Sequence, residues 1–312
     1  MEFTSRIYVA GHTGLVGSAV VQRLQAQGFE RLVAPSVRHD LTDRSAVEAF
    51  FDQHKPEYVF LAAAKVGGIH ANDAARADFI RVNLQIETNV IDAAFRHGVK
   101  KLLFLGSSCI YPKFAPQPIQ EKHLLTGALE DTNEAYAIAK IAGLVMCRSY
   151  NIQYGTNFIA AMPTNLYGPR DNFDIKTSHV LPAMIRKFHE AKVQKKPLVE
   201  LWGTGSPRRE FLHVSDLAAA CVFLMQSFDA QRDDYFVNVG VGEDISIKEL
   251  AELVQKVVGF SGTIRWNTEM PDGTPRKLLD VGRLKALGWE ASMPLADGVA
   301  QTYQWFLENS AQ

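Results

Sequence analysis

Tyr136 and Lys140 lie four positions apart in Tyr136-Ala137-Ile138-Ala139-Lys140-Ile141-Ala142, a segment of good helix formers. On a helix, residues i and i+4 share a face, which brings phenol and ammonium together with their backbones about 6 Å apart. A free tyrosine titrates near pH ~10, and a neighbouring cation favours the phenolate and lowers that value. The spacing therefore predicts a phenol that exchanges protons near neutrality, the service required when hydride addition turns a ketone into an alkoxide. Ser107 follows the apolar run Leu102–Gly106 and is placed to hydrogen-bond the same oxygen. Alone, such a pair is usually a packing aromatic and a solvated lysine. Its company decides the matter.

That company begins at Gly11-His12-Thr13-Gly14-Leu15-Val16-Gly17, between a strand-like Ile7–Ala10 and a helical Gly14–Gln27. Glycines there let the backbone turn tightly and approach a pyrophosphate at the helix N-terminus. No Gly-Lys-Ser/Thr follows, which argues against a triphosphate loop. A bare glycine triplet also marks ordinary turns, but its place between an N-terminal strand and a helix points to a dinucleotide. After a second strand comes Ala34-Pro35-Ser36-Val37-Arg38-His39-Asp40-Leu41. An acid directly after that strand would hold the ribose 2′-hydroxyl of NAD, whereas a cation accommodates the 2′-phosphate of NADP. Arg38 comes first, so NADP is expected, with a solvated surface arginine as the plain alternative.

These residues need a scaffold. Short apolar strands (7–10, 32–34, 58–63, 102–106) alternate with helical stretches (14–27, 46–54, 78–97). This alternation predicts an α/β, doubly wound parallel sheet of the Rossmann type with helices on both faces, and ligands beyond the carboxyl ends of its strands. The second half is punctuated by prolines and glycine-rich loops. It reads as a smaller C-terminal substrate-binding lobe, giving residues 1–162 to the cofactor domain and 163–312 mainly to the lobe, with segments returning to the sheet.

Across 312 residues, 33 lysines and arginines meet 34 aspartates and glutamates, for a net charge of −1. No global basic field favours nucleic acid or an anionic membrane. No apolar run is long enough for a bilayer, and the opening MEFTSRIYVAG lacks the apolar stretch of a signal peptide. Three dispersed cysteines, Cys109, Cys147 and Cys221, form neither a metal pattern nor a disulfide framework. A cytoplasmic setting is expected.

The GxxGxxG loop, Asp40-Leu41-Thr42-Asp43, Ala62-Ala63-Ala64, Ser107 and Tyr136-x-x-x-Lys140 resemble the extended short-chain dehydrogenase/reductase superfamily. Within it, AAAKVGGI (62–69), LFLGSSCIYP (103–112), YAIAKIAG (136–143), PTNLYGPRDNF (163–173), WGTGSPRREFLHV (202–214), PDGTPRKLLDV (271–281) and TYQWFLEN (302–309) are similar, in order, to the GDP-4-keto-6-deoxy-D-mannose 3,5-epimerase/4-reductase family, the GDP-L-fucose synthases. The resemblance implies inversion at C3 and C5 through an enolate, then reduction of C4 with NADPH. It implies Cys109 as base and His179 as acid, beside Ser107, Tyr136 and Lys140. From the residues alone, Cys109 would read as a small buried hydrophobe and His179 as a satisfied loop histidine.

The resemblance further implies NADP contacts from Gly11, His12, Thr13, Gly14, Leu15, Val16, Gly17, Arg38, Asp40, Leu41, Ala62, Ala63, Leu105, Gly106, Ser107, Ser108, Lys140, Pro163, Thr164, Asn165, Leu166 and His179. It implies GDP-sugar contacts from Asn165, Lys187, Trp202 and Arg209, with Asp272 and Lys277 as weaker candidates, and a homodimer packed through the helices near 78–97 and 134–150. Many bacterial members carry arginine where this chain has Thr13, which leaves more of the 2′-phosphate recognition to Arg38. Rival readings are a GDP-4-keto-heptose epimerase/reductase, an epimerase that returns its hydride, and a non-catalytic dinucleotide sensor.

Overall fold

The computed structural model describes residues 1–33, 40–270 and 272–309. Arg38 lies outside them. The first half runs β1 (Ile7–Ala10), α1 (Leu15–Ala26), β2 (Leu32–Val33), α2 (Arg44–His54), β3 (Tyr58–Leu61), α3 (Ile69–Ala74), α4 (Arg76–Arg96), β4 (Lys101–Leu105), α5 (Glu134–Tyr154) and β5 (Phe158–Pro163). The second runs β6 (Asn165–Tyr167), α6 (Val180–Val193), β7 (Leu198–Trp202), β8 (Arg208–Arg209), β9 (Phe211–His213), α7 (Val214–Ser227), β10 (Phe236–Val239), β11 (Ile245–Ser246), α8 (Ile247–Val258), β12 (Thr263–Asn267), β13 (Arg276–Lys277), α9 (Gly282–Ala286) and α10 (Leu295–Asn309).

Six strands form one parallel sheet in the order β10-β5-β4-β3-β1-β2. Alternation within each strand divides the core in two. Tyr8, Val59, Leu102, Phe104, Phe158 and Met162 face α2, α4 and α5. Ile7, Val9, Phe60, Leu103, Ile159 and Val237 face α1 and α7. Burial on both sides explains why the strands read as continuous apolar runs. At about 25 cal/mol per Å² of apolar surface, these two layers are the main favourable term holding the sheet. The sixth strand, β10, comes from the second half of the chain and pairs with β5.

The strand order reverses beside β1, where β2 and β3 lie on opposite sides. A crevice for ligands opens at such a point, outside the carboxyl ends of the strands. Strand β3 stops at Leu61, two residues short of the expected 58–63, which leaves Ala62 and Ala63 in that crevice beside Gly11. Three smaller sheets, β11-β8-β13, β12-β7 and β6-β9, build the rest of the second half. A third core there packs α6, α8 and α10 through Ile185, Phe188, Leu250, Val254 and Phe306.

Candidate functional site

The glycine loop is built for a close neighbour. Gly11 sits in the left-handed region at φ +86°, and a Cβ there would come within 2.9 Å of the Ala63 backbone nitrogen. A Cβ on Gly17 would lie 2.1 Å from the Gly11 carbonyl oxygen, so α1 packs onto the turn only with glycine at that position. The turn closes with Gly14 N–H donating to the Gly11 carbonyl at 3.0 Å. Gly14 then caps α1 without a side-chain bond. The first-turn N–H groups of a helix have no intrahelical acceptor. They therefore offer themselves to an anion, and a dinucleotide pyrophosphate fits this cradle. Asp40 turns one carboxylate oxygen onto the backbone N–H and hydroxyl of Thr42.

Past β4, Ser107 caps a short 3-10 turn by accepting the Cys109 N–H at 3.2 Å. Its hydroxyl also bonds the Tyr136 phenol. Ser107 and Tyr136 thus converge on one point. Lys140 behaves otherwise. Its ammonium is buried, donates to the Leu105 carbonyl at 2.9 Å and lies 3.1 Å from Oε1 of Glu87, a buried carboxylate on α4. It sits 4.7 Å from the Phe104 ring centroid and 5.9 Å from that of Tyr136.

This corrects one expectation. The i, i+4 spacing places Lys140 beside the Tyr136 ring, yet the phenol is pushed well above its ordinary range. Burial is the largest cause, followed by the charges of Cys109 and Glu87, while the Ser107 bond opposes them. The lysine points down its helix face towards an acid that helical spacing does not reveal.

Cys109 carries a free, half-buried thiol. The Asn133 amide, just before α5, donates to its Sγ at 3.5 Å, and Lys277 Nζ approaches to 3.6 Å. His179 caps the N-terminus of α6 and is exposed to the cleft. Surrounding protein lowers its pKa first, and the charge of Lys277 adds to the effect. One lysine therefore influences both the thiol and the imidazole. Lys277 pairs with Arg209 across β13 and β8, which sets two cations side by side. The Arg209 guanidinium donates to the Arg208 carbonyl at 2.8 Å, and its pKa is lowered by burial against the favourable charge of Asp272.

Lys187 and Trp202 form a second group. The ammonium lies 5.7 Å from the exposed indole and 3.4 Å from the Glu200 carbonyl. Two candidates are engaged in holding the lobe together. Asn165 donates its amide to the Glu210 carbonyl at 2.8 Å, and Asp272 accepts from the backbone and hydroxyl of Thr204 at 2.9 and 2.7 Å. Of the remaining cofactor candidates, Leu105, Gly106 and Ser108 are buried at the end of β4. Pro163, Thr164 and Leu166 surround the β5–β6 step, where Thr164 N–H donates to the Val239 carbonyl. Sequence reasoning missed Asn133 and Glu87. Neither belongs to a spacing pattern, and only their contacts identify them.

Such a sheet, phosphate cradle and Ser–Tyr–Lys group define a nicotinamide-dependent Rossmann enzyme. Residues 7–240 match the NAD dependent epimerase/dehydratase family. The chain is 61% identical to GDP-L-fucose synthase 1 of Arabidopsis thaliana, covering 98% of this chain and 94% of that protein. Among solved structures, it resembles a GDP-6-OMe-4-keto-L-xylo-heptose reductase from C. jejuni at TM-score 0.93 and 43% identity, over 99% of both chains. It also resembles a GDP-L-fucose synthetase from Naegleria fowleri bound to NADP, at TM-score 0.90 and 28% identity, over 100% of this chain and 97% of that one. The chain belongs to the NAD dependent epimerase/dehydratase family and, within it, to the GDP-L-fucose synthases.

Proposed function

We propose that this protein converts GDP-4-keto-6-deoxy-D-mannose to GDP-L-fucose by inverting C3 and C5 and then reducing the C4 ketone, with residues 1–162 serving the cofactor and 163–312 mainly the sugar nucleotide. The observation that carries the reading is the meeting of two chemistries in one cleft. A thiol between an amide and an ammonium is joined to a serine–tyrosine pair by the short turn 107–109.

Hydrogens on C3 and C5 are acidic because each adjoins the C4 carbonyl. Cys109 removes one as thiolate, with Lys277 and Asn133 stabilising the negative sulfur. The electron pair moves to the C4 oxygen, where the Ser107 hydroxyl and Tyr136 phenol donate hydrogen bonds to the enolate. His179 returns a proton from the opposite face. NADPH, when bound on the glycine cradle, supplies hydride to C4. Tyr136 then gives its phenolic proton to the resulting alkoxide, and Ser107 holds that oxygen in place. Arg209 serves the diphosphate as a charge-assisted donor, and Trp202 with Lys187 offers an apolar face and a cation to the nucleotide.

The test is incubation with GDP-4-keto-6-deoxy-mannose and NADPH, followed by identification of the sugar. GDP-L-fucose formed with one NADPH oxidised per sugar supports the reading. Recovery of unreduced epimers without NADPH loss overturns it. A second reading, reduction of a GDP-4-keto-heptose, is favoured by the likeness to the C. jejuni heptose reductase. Higher catalytic efficiency on the heptose would establish it. Tyr136→Phe removes the proton donor and lowers reduction by at least about a hundredfold, measured as absorbance loss at the nicotinamide band.

The protein is expected to work as a homodimer in the cytoplasm. Ile138, Val145 and Ile152 recur every seventh residue and stand exposed along α5, a stripe suited to a second copy. All three cysteines are free, in keeping with a reducing compartment, and no described helix is long and apolar enough to cross a membrane.

A further inference from the structure

Glu87 lies on α4, away from every motif that the chemistry above uses, with only 1% of its side chain exposed. A carboxylate so placed is costly unless it is paired. Its counter-ion is Lys140, at 3.1 Å, and neither carboxylate oxygen accepts a well-aligned hydrogen bond. The packing admits no slack. A Cβ on Gly143 would come within 2.7 Å of Glu87 Oε2 and 2.6 Å of the Phe104 ring, so α5 meets α4 closely at this acid. The Leu105 carbonyl and the Phe104 ring complete the surroundings of the ammonium.

We propose that Glu87 is a positioning residue for ketone reduction, anchoring the Lys140 ammonium at the end of β4 and offsetting its charge so that Tyr136 remains the proton-bearing phenol. The inference rests on the reductase reading above. A reductase meets its ketone needing a protonated acid, whereas an uncompensated lysine favours the phenolate. The groups facing Tyr136 come from three elements: Ser107 and Cys109 from the segment after β4, Phe79 and Glu87 from α4, and Lys140 from its own helix. Burial raises the phenol first, and the Cys109 and Glu87 charges add to it. Glu87 therefore acts in two ways, on the Tyr136 proton by its own charge across the gap and on the position of the lysine it touches.

The test compares wild type, Glu87→Gln, Lys140→Met and Glu87→Gln/Lys140→Met by the pH dependence of NADPH oxidation with the keto sugar. Reduction requires the protonated phenol and is lost as pH rises through its pKa. Burial raises the Glu87 carboxyl above its ordinary range while the Lys140 ammonium opposes it, and removing the charge held there by the lysine lowers the phenol's pKa. Glu87→Gln is expected to move the basic limb down by about one pH unit and to lower kcat roughly tenfold, with KM for the sugar unchanged. In the Lys140→Met background, the same change is expected to add no further loss of kcat at neutral pH, because the carboxylate then has no ammonium to hold, while its direct charge effect on the basic limb persists. A basic limb coincident with wild type, or a double variant tenfold slower than Lys140→Met, overturns the proposal. If Glu87→Gln fails to fold, Glu87→Met/Lys140→Met supplies an apolar pair of similar volume for the second comparison. Failure of the reductase reading is distinguishable, since wild type itself would then leave NADPH unoxidised.

Discussion

At the residue scale, Lys277 has the widest reach in the cleft. Its ammonium is 3.6 Å from the Cys109 sulfur and lowers the pKa of His179 through space. Lys277→Met should therefore have two opposite effects. The imidazole, held below its ordinary 6.5 first by the protein around it and then by this charge, should titrate at higher pH, as read by the shift of its ring protons in NMR. The thiolate should lose its stabilising cation, and C3/C5 solvent-deuterium exchange should slow about tenfold or more. Cys109→Ser should stop the exchange outright, because a hydroxyl is a far weaker acid than a thiol and supplies no base at neutral pH. Undiminished exchange in Cys109→Ser would reject the assignment of Cys109 as base.

At the element scale, the decisive contact is between the first turn of α1 and the loop that precedes it. Gly17→Ala would drive a methyl group to 2.1 Å from the Gly11 carbonyl, a backbone atom with little freedom to yield. The helix must then move off the turn, and its first-turn N–H groups move with it. The expected outcome is NADPH binding weakened by about tenfold or more, measured by nicotinamide fluorescence, with the far-UV spectrum retained. Unchanged affinity would mean that the anion site is not at this turn. The same scale explains the behaviour of Tyr136 and Lys140. Their common helix sets the four-residue spacing, but the neighbouring helix α4 supplies the acid that turns the lysine inward.

At the scale of the whole molecule, Glu210 ties the strip of the lobe that carries it to the end of β10, the second-half strand that completes the main sheet. Its side chain is fully buried. One carboxylate oxygen accepts the Val241 and Gly242 N–H groups at 2.6 and 2.7 Å, and the other accepts that of Leu279 at 3.0 Å. Its own carbonyl accepts the Asn165 amide. The end of β10, the segment before α9 and the β5–β6 step are thereby tied to the strip that carries Arg209 and Lys277. Glu210→Ala leaves one buried and two part-buried donors without their acceptor, at up to about 1 to 3 kcal/mol each. A loss of about 3 kcal/mol or more is expected in urea unfolding, together with raised KM for the sugar nucleotide. A loss under about 1 kcal/mol would show that this strip is held to the end of β10 by apolar packing alone.

Local periodicity and spacing were enough to define the parallel α/β sheet, the glycine turn and the Tyr–Lys helix. Continuous apolar strands follow from burial on both faces, and the i, i+4 pair follows from helical geometry. The family was legible for a related reason, since its motifs lie in contiguous blocks. Other features were decided only when distant segments met. Lys277 stands 168 positions from Cys109, yet it is the cation beside that thiol. Glu87 holds Lys140 across two helices, and Asn165 and Asp272 turn to Glu210 and Thr204 within the lobe. A protonation state depends on every charge and every exclusion of water around a group, and those are properties of the packed molecule. That is why the spacing correctly placed Tyr136 and Lys140 on one face but misread which way the phenol would titrate.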